Sequence, residues 1–277
     1  MRVGDLMSSP VVVINDTDTL AYARNLMLRE GVSRLVVVKG TRPVGTITRR
    51  DIVRSLRNYK MRQRDFDSIL VSEVMRTPVT TIDENALVVE AARRMVSANI
   101  KGLPVVNQGG DLLGIITKTD LTRYFAETMR GKYTVGDLCQ REHLPIVKRH
   151  HTVYRVVDVM EELNTDRVIV VDEGRPVGII TETDLSFIRP PKASSSFMKG
   201  SKAESEEFSS TRLYLIPVAE DIMTPDPFTV KLSEDASSAA QALIENGIGG
   251  MPVINDEGML VGLITKFDFV KAIAKGE

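Results

Sequence analysis

Gly114-Ile-Ile-Thr-Lys-Thr-Asp120 is one of four versions of a single seven-residue stretch. The others are Gly45-Thr-Ile-Thr-Arg-Arg-Asp51, Gly178-Ile-Ile-Thr-Glu-Thr-Asp184 and Gly262-Leu-Ile-Thr-Lys-Phe-Asp268. Each runs glycine, two mostly apolar residues, threonine, two free positions, aspartate. Successive motif glycines lie 69, 64 and 84 residues apart. Self-similarity at a near-constant period marks repeated supersecondary units, so the fold is read repeat by repeat.

Upstream of each motif the same punctuation recurs. Gly31, Asn99, Asn164 and Gly247 precede the motif glycines by 14, 15, 14 and 15 residues, and glycine and asparagine are the residues that tolerate the left-handed turn closing a helix. Before these stops, apolar residues fall at helical spacing: Leu20, Ala23, Leu26 and Met27; Leu87, Ala91 and Met95; Val153, Val157 and Met160; Ala236, Ala240 and Leu243. Asp16 to Asp18 are expected to cap the first of these helices. After the stops, Leu35 to Val38, Leu103 to Val106, Val168 to Val171 and Met251 to Ile254 read as strands. A turn and a returning strand then lead into each motif, and a second helix follows it, in the first repeat running to about Tyr59. Met7-Ser-Ser-Pro10, Met75-Arg-Thr-Pro78 and Met223-Thr-Pro225 open three of the repeats, whereas Leu138-Cys139 opens the divergent third. The order is strand, helix, strand, strand, helix, four times over, an α+β chain.

Composition narrows the function. At 277 residues, two domains of ordinary size are expected. With 36 basic and 37 acidic residues the net charge is −1, which leaves no bulk attraction for nucleic acid or anionic lipid. Cys139 is the single cysteine, so neither an internal disulfide nor a thiolate zinc cluster is expected. No apolar run approaches the ~20 residues of a membrane span, and Met1-Arg-Val-Gly-Asp5 does not open like a signal peptide, so a cytoplasmic protein is expected. Residues 189–212, with Pro190-Pro191, Ser194 to Ser196 and Ser209-Ser210, stand outside the repeat and read as a flexible linker or loop, with a lid over a ligand as the alternative.

The motif supports two readings. Thr-x-x-Asp at a helix start is a capping box, in which hydroxyl and carboxylate satisfy free backbone N–H groups. Its glycine then merely allows close strand approach. The same geometry suits a nucleotide: a helix N-terminus favours phosphate, and a short carboxylate there can accept hydrogen bonds from both ribose hydroxyls. No His, Cys or Ser recurs with an acid at catalytic spacing and no phosphate-cradling glycine loop is present, so no enzyme is expected.

Taken together, the Met-x-x-Pro opening, the helix with its Gly/Asn stop, the hairpin and Gly-h-Ile-Thr-x-x-Asp resemble the CBS domain, named for cystathionine beta-synthase. Four copies span nearly the whole chain, as in the gamma subunit of the AMP-activated protein kinase. The resemblance implies four tandem βαββα units at 1–66, 67–130, 131–190 and 213–277, with 191–212 as linker. It also implies their pairing into two Bateman modules, 1–130 and 131–277, in a disc-like pseudo-symmetric assembly. The implied function is a non-catalytic sensor that binds AMP, ADP, ATP or S-adenosylmethionine as a regulatory ligand, requires no cofactor and acts on a regulated protein. A scaffold with vestigial sites is the alternative, and a homodimer of such assemblies stays open. Thr48, Thr117, Thr181 and Thr265 are implied to contact phosphate or ribose, and Asp51, Asp120, Asp184 and Asp268 the ribose hydroxyls.

The variable positions suggest unequal sites. Ser33-Arg34, Lys101-Gly102, Asp166-Arg167 and Gly249-Gly250 follow the helix stops, where the family often places phosphate-binding groups. Arg34, Lys101 and Arg167 are therefore candidate ligand residues. A unit charge 4 Å from a phosphate is worth ~4 kcal/mol at a semi-buried site, so Glu182 disfavours phosphate in the third repeat and tighter phosphate binding is expected in the first two. Lys148, Arg149, His150 and His151 form a basic cluster whose phosphate contact competes with a solvated turn. Adjacent histidines with no third ligand do not suggest a metal site.

Overall fold

The first repeat builds β1 (Val13–Asn15), α1 (Leu20–Arg29), β2 (Arg34–Lys39), β3 (Arg42–Thr48) and α2 (Arg49–Ser55). The second builds β4 (Ile82–Asp83), α3 (Val88–Ser97), β5 (Gly102–Val106), β6 (Leu112–Thr117) and α4 (Lys118–Thr128). A short helix α5 (Val135–Leu138) opens the third, followed by β7 (Ile146–Lys148), α6 (Val153–Glu162), β8 (Arg167–Asp172), β9 (Arg175–Thr181) and α7 (Glu182–Ser186). The fourth has α8 (Ala219–Ile222), β10 (Thr224–Pro225), β11 (Val230–Lys231), α9 (Ala236–Glu245), β12 (Gly250–Ile254), β13 (Leu260–Thr265) and α10 (Lys266–Lys275). This is a computed structural model that describes residues 1–55, 61, 64–186 and 217–276; the 189–212 segment and the expected helix end near Tyr59 lie outside the described residues.

In the first three repeats a parallel strand pair is joined by a helix, and an antiparallel hairpin returns the chain. The fourth sheet keeps the order β11-β12-β13, and β10 adds a short antiparallel edge to β9. The helix stops behave as their side chains dictate: Gly31, Asn99, Asn164 and Gly247 have φ of 65°, 49°, 47° and 64°. Three local expectations are corrected. Thr19 caps α1, accepting from the Tyr22 N–H at 3.2 Å, while Asp18 turns back to the Asn15 N–H at 2.8 Å. Leu87 occupies the N-cap of α3 and is 60% exposed, so the buried face begins at Val88. In α6 the inward residues are Val156, Val159 and Met160, one position round from the expected stripe, with Val153 and Val157 half-buried.

The chain divides into two compact units, one of residues 1–139, 232–251 and 264–277, the other of residues 140–231 and 252–263. The division runs through the fourth repeat. In the first unit the opening of each repeat crosses to the other. Ile69 and Val71, which precede the second sheet, sit in the core of the first repeat with Ile14, Leu20, Met27, Leu35 and Ile47. Met75 lies over Gly45 and Met7 over Gly114. A Cβ on Gly45 would stand 2.8 Å from the Met75 Sδ and 3.0 Å from the Arg76 carbonyl, so glycine is required by the crossing chain. Gly45 and Gly114 lie opposite Val37 and Val105, beside the register shift of each hairpin.

The helices of the second and fourth repeats pack together in this same unit. Phe125 and Phe269 are fully buried with ring centroids 4.9 Å apart, and the Arg93 Nε donates to the Ala274 carbonyl at the end of α10 at 2.9 Å. The second unit repeats the crossing. Met223 lies over Gly178, and Ala219 enters the core formed by Val147, Val156, Val168, Val170 and Ile180. Among the described residues no helix is long and apolar enough to cross a membrane.

Candidate functional site

Each motif threonine ends a hairpin strand and each motif aspartate lies in the first turn of the following helix. One carboxylate oxygen performs the cap. The Oδ2 atoms of Asp51, Asp120, Asp184 and Asp268 accept from the Thr48, Thr117, Thr181 and Thr265 N–H at 3.0, 2.7, 2.7 and 2.9 Å. The same atoms accept from the four threonine hydroxyls at 2.5, 2.7, 2.8 and 2.7 Å. The capping reading is therefore an observed fact. Thr134 and Asp137 make the same pair of bonds, both at 2.7 Å, at the start of α5 with no Gly-h-Ile strand before them. Capping alone does not distinguish a ligand site.

The second oxygen does distinguish the repeats. The Asp51 Oδ1 accepts from the Arg76 Nε at 2.7 Å. The Asp120 Oδ1 accepts from the Ser8 hydroxyl at 3.3 Å, with the Arg123 guanidinium at 3.6 Å. The Asp268 Oδ1 meets the Lys271 Nζ at 2.9 Å. Asp51, Asp120 and Asp268 are buried, and Asp184 is half-buried.

The crossing openings bring these partners in. Arg76 and Thr46 exchange backbone hydrogen bonds of 2.8 and 3.1 Å, two residues before Thr48. Ser8 and Ile115 do the same at 2.9 and 3.0 Å, two residues before Thr117. Gln140 pairs with Leu263, and Thr224 with Ile179, in the equivalent register. Sequence reading missed this position. Its signal is a constant place directly after the opening Met or Cys, filled by Ser8, Arg76, Gln140 and Thr224.

The residues after the helix stops meet the motif from the other side. Ser33, Lys101, Asp166 and Gly249 accept, through their carbonyls, from the N–H of Arg49, Lys118, Glu182 and Lys266 at 3.2, 3.1, 3.1 and 3.1 Å. Arg34 stands opposite Thr48 in the ladder, Gly102 opposite Thr117 and Arg167 opposite Thr181. Lys101 is thus one register away from the place that Arg34 and Arg167 share. The two arginines also differ in state. Arg34 reaches into the second repeat, donating to the Gly102 carbonyl at 2.8 Å, and burial holds its guanidinium below the ordinary arginine range; nearby Asp51 opposes that shift and Arg76 adds to it. Arg167 is buried and ion-paired to its neighbour Asp166 at 2.9 Å. A cleft of about 240 Å³ opens beside Asp51, lined by Arg54, Ser55, Met61, Glu73 and Val74.

In the third repeat Arg149 bridges Asp172 and Glu220, both at 2.8 Å, so its charge is met by two carboxylates. His150 and His151 stack edge to face at 5.2 Å. Among the described residues no group of three His, Cys, Asp or Glu is placed to hold a metal ion.

The family model described as the CBS domain matches residues 3–58, 71–127, 135–188 and 218–275. The uncharacterized protein MJ1225 of Methanocaldococcus jannaschii is 29% identical over 276 residues, covering 95% of each chain. The crystal structure of MJ1225, described as a candidate archaeal homologue of g-AMPK, superposes with a TM-score of 0.79 at 27% identity, covering 99% of this chain and all of that one. An uncharacterized conserved protein from Pyrococcus horikoshii shares the fold, with a TM-score of 0.68 at 24% identity over 99% of this chain and all of its own. The matched segments take up most of the sequence, and this chain is a member of the CBS-domain family with four CBS copies.

Proposed function

We propose that the protein is a regulatory sensor of adenosyl ligands, adenine nucleotides foremost, bound at the motif carboxylates. One observation carries the reading: each motif Asp devotes Oδ2 to its own helix cap, which orients the group. In three repeats a hydroxyl, guanidinium or ammonium already occupies a donor position on Oδ1. Ribose hydroxyls are donors of the same kind, and the helix N-terminus behind them suits phosphate. The likeness to MJ1225 over the whole chain supports an energy-sensing role of the kind its description suggests. Phosphate binds more tightly where Arg34, half-buried with a carbonyl as its partner, faces the first two repeats.

A second reading has its own support. In the third repeat Asp166 neutralises Arg167, and Glu182 and Asp184 add negative charge, which suits the cationic sulfonium of S-adenosylmethionine better than a polyphosphate. Ligand binding regulates a partner protein by favouring one of two conformations. The test is a thermal-shift panel of AMP, ADP, ATP, GTP and S-adenosylmethionine. A ligand at 100 times its Kd adds ~2.7 kcal/mol of stability. A panel in which no adenosyl compound shifts the transition ends the sensor reading.

A further inference from the structure

The two openings that cross within the first unit place different side chains on equivalent carboxylates. Ser8 and Arg76 hold the same backbone register, each paired with the residue two before its motif threonine. Ser8 lends the Asp120 Oδ1 a neutral hydroxyl at 3.3 Å. Arg76 lends the Asp51 Oδ1 a guanidinium at 2.7 Å, and that carboxylate is 6% exposed. From this contrast we infer that Arg76 is a specificity-determining latch, which closes the Asp51 cleft to adenosyl ligands that lack phosphate. The inference rests on the adenosyl reading above.

The physical argument concerns what replaces the ion pair. A ribose diol approaching the Asp51 Oδ1 competes with a charge-assisted hydrogen bond, the stronger kind. Arg76 is 51% exposed at its side chain, so it can swing aside without disturbing the core, and its backbone stays anchored to Thr46. A neutral nucleoside that displaces it offers the guanidinium no anion in return. A phosphate on the same ligand does, and Arg34 lies close enough to Arg76 and Asp51 for all three charges to interact. At Asp120 the crossing opening supplies only the neutral hydroxyl of Ser8, and the cation on the same oxygen is Arg123 of the motif's own helix, farther off at 3.6 Å, so a neutral nucleoside meets less competition there than at Asp51.

Calorimetric titration of the full chain with adenosine and with AMP tests this. Arg76→Ser copies the residue that already stands before Asp120. The expected result is a stronger affinity for adenosine and an AMP-to-adenosine affinity ratio lowered about tenfold, equivalent to ~1.4 kcal/mol. The change must disappear when Arg76→Ser is made on an Asp51→Asn background, which keeps a carbonyl acceptor for the Thr48 N–H. A single cooperative melting transition above the titration temperature in each variant without ligand shows that the fold is intact. An unchanged ratio in Arg76→Ser, or a change that persists without the Asp51 carboxylate, overturns the latch and leaves the adenosyl reading standing. Binding of neither compound to any variant overturns both.

Discussion

Replacing Asp120 in two ways separates the two duties its carboxylate combines. Asp120→Ala removes the acceptor for the Thr117 N–H and hydroxyl, both at 2.7 Å, and breaks the reciprocal half of the capping box of α4, leaving only the Thr117 hydroxyl accepting from the Thr119 N–H at 3.2 Å. Loss of an N-terminal capping residue costs ~1 kcal/mol, within a range of ~0.5–2. Asp120→Asn retains one carbonyl oxygen for the cap and loses the charge, so its cost in stability is the smaller. Binding behaves differently. Hydrogen bonds to a charged group are worth ~1.5–3 kcal/mol, so losing the carboxylate weakens an adenosyl ligand at this cleft by roughly 10- to 150-fold in either variant. Asp137 supplies the control, because it caps Thr134 with the same geometry outside any Gly-h-Ile motif. Urea denaturation and calorimetric titration with AMP, run on Asp120→Ala, Asp120→Asn and Asp137→Ala, give the expected pattern. The two alanine variants lose similar stability, and only the Asp120 variants lose affinity. If Asp120→Asn binds AMP as the parent does, the carboxylate is a cap and nothing more.

Two further outcomes follow from the packing and the charges. Gly45→Ala drives a methyl group against Met75 and the Arg76 carbonyl, and overpacking of this kind costs ~1–3 kcal/mol; chemical denaturation should show that loss, and Met75→Ala in the same chain should recover part of it. His151 is held below the ordinary histidine range by burial first, then by His150, Lys148 and Arg155, and its Nδ1 accepts from the Lys148 N–H at 3.3 Å. The unfolded chain therefore binds the proton more readily than the folded one, and stability falls as pH drops below the ordinary value near ~6.5 until the lowered folded value is passed. Melting temperature measured from pH 8 to 5 should show this slope, and His151→Phe should flatten it; an unchanged slope removes His151 as its source.

Much of the fold was legible in the chain because its cues are local. A left-handed stop needs Gly or Asn, so Gly31, Asn99, Asn164 and Gly247 announce helix ends on their own. Hairpins follow from apolar runs on either side of turn residues, and the strand read at Leu103 to Val106 is found at Gly102–Val106. The inward face of α6 was misjudged by one position, since Val153, Val156, Val157 and Val159 all suit an apolar stripe and only the neighbouring sheet decides among them. Leu87 was placed inside for the same reason, periodicity being blind to where the first turn begins.

The sequence by itself determined the number of repeats, their βαββα order, the helix stops and the four Thr/Asp pairs, because each depends on residues within one turn or one hairpin of each other. Tertiary structure alone decided what the other half of each carboxylate touches. Arg76 meets Asp51 from 25 positions away and Ser8 meets Asp120 from 112, along openings that cross between repeats. Arg34 and Gly102 meet in the same way, an arginine from one repeat lying in space that only a glycine of the other leaves open. Side chains so distant in sequence carry no mutual periodicity, and the energy that joins them is released only once both sheets have formed.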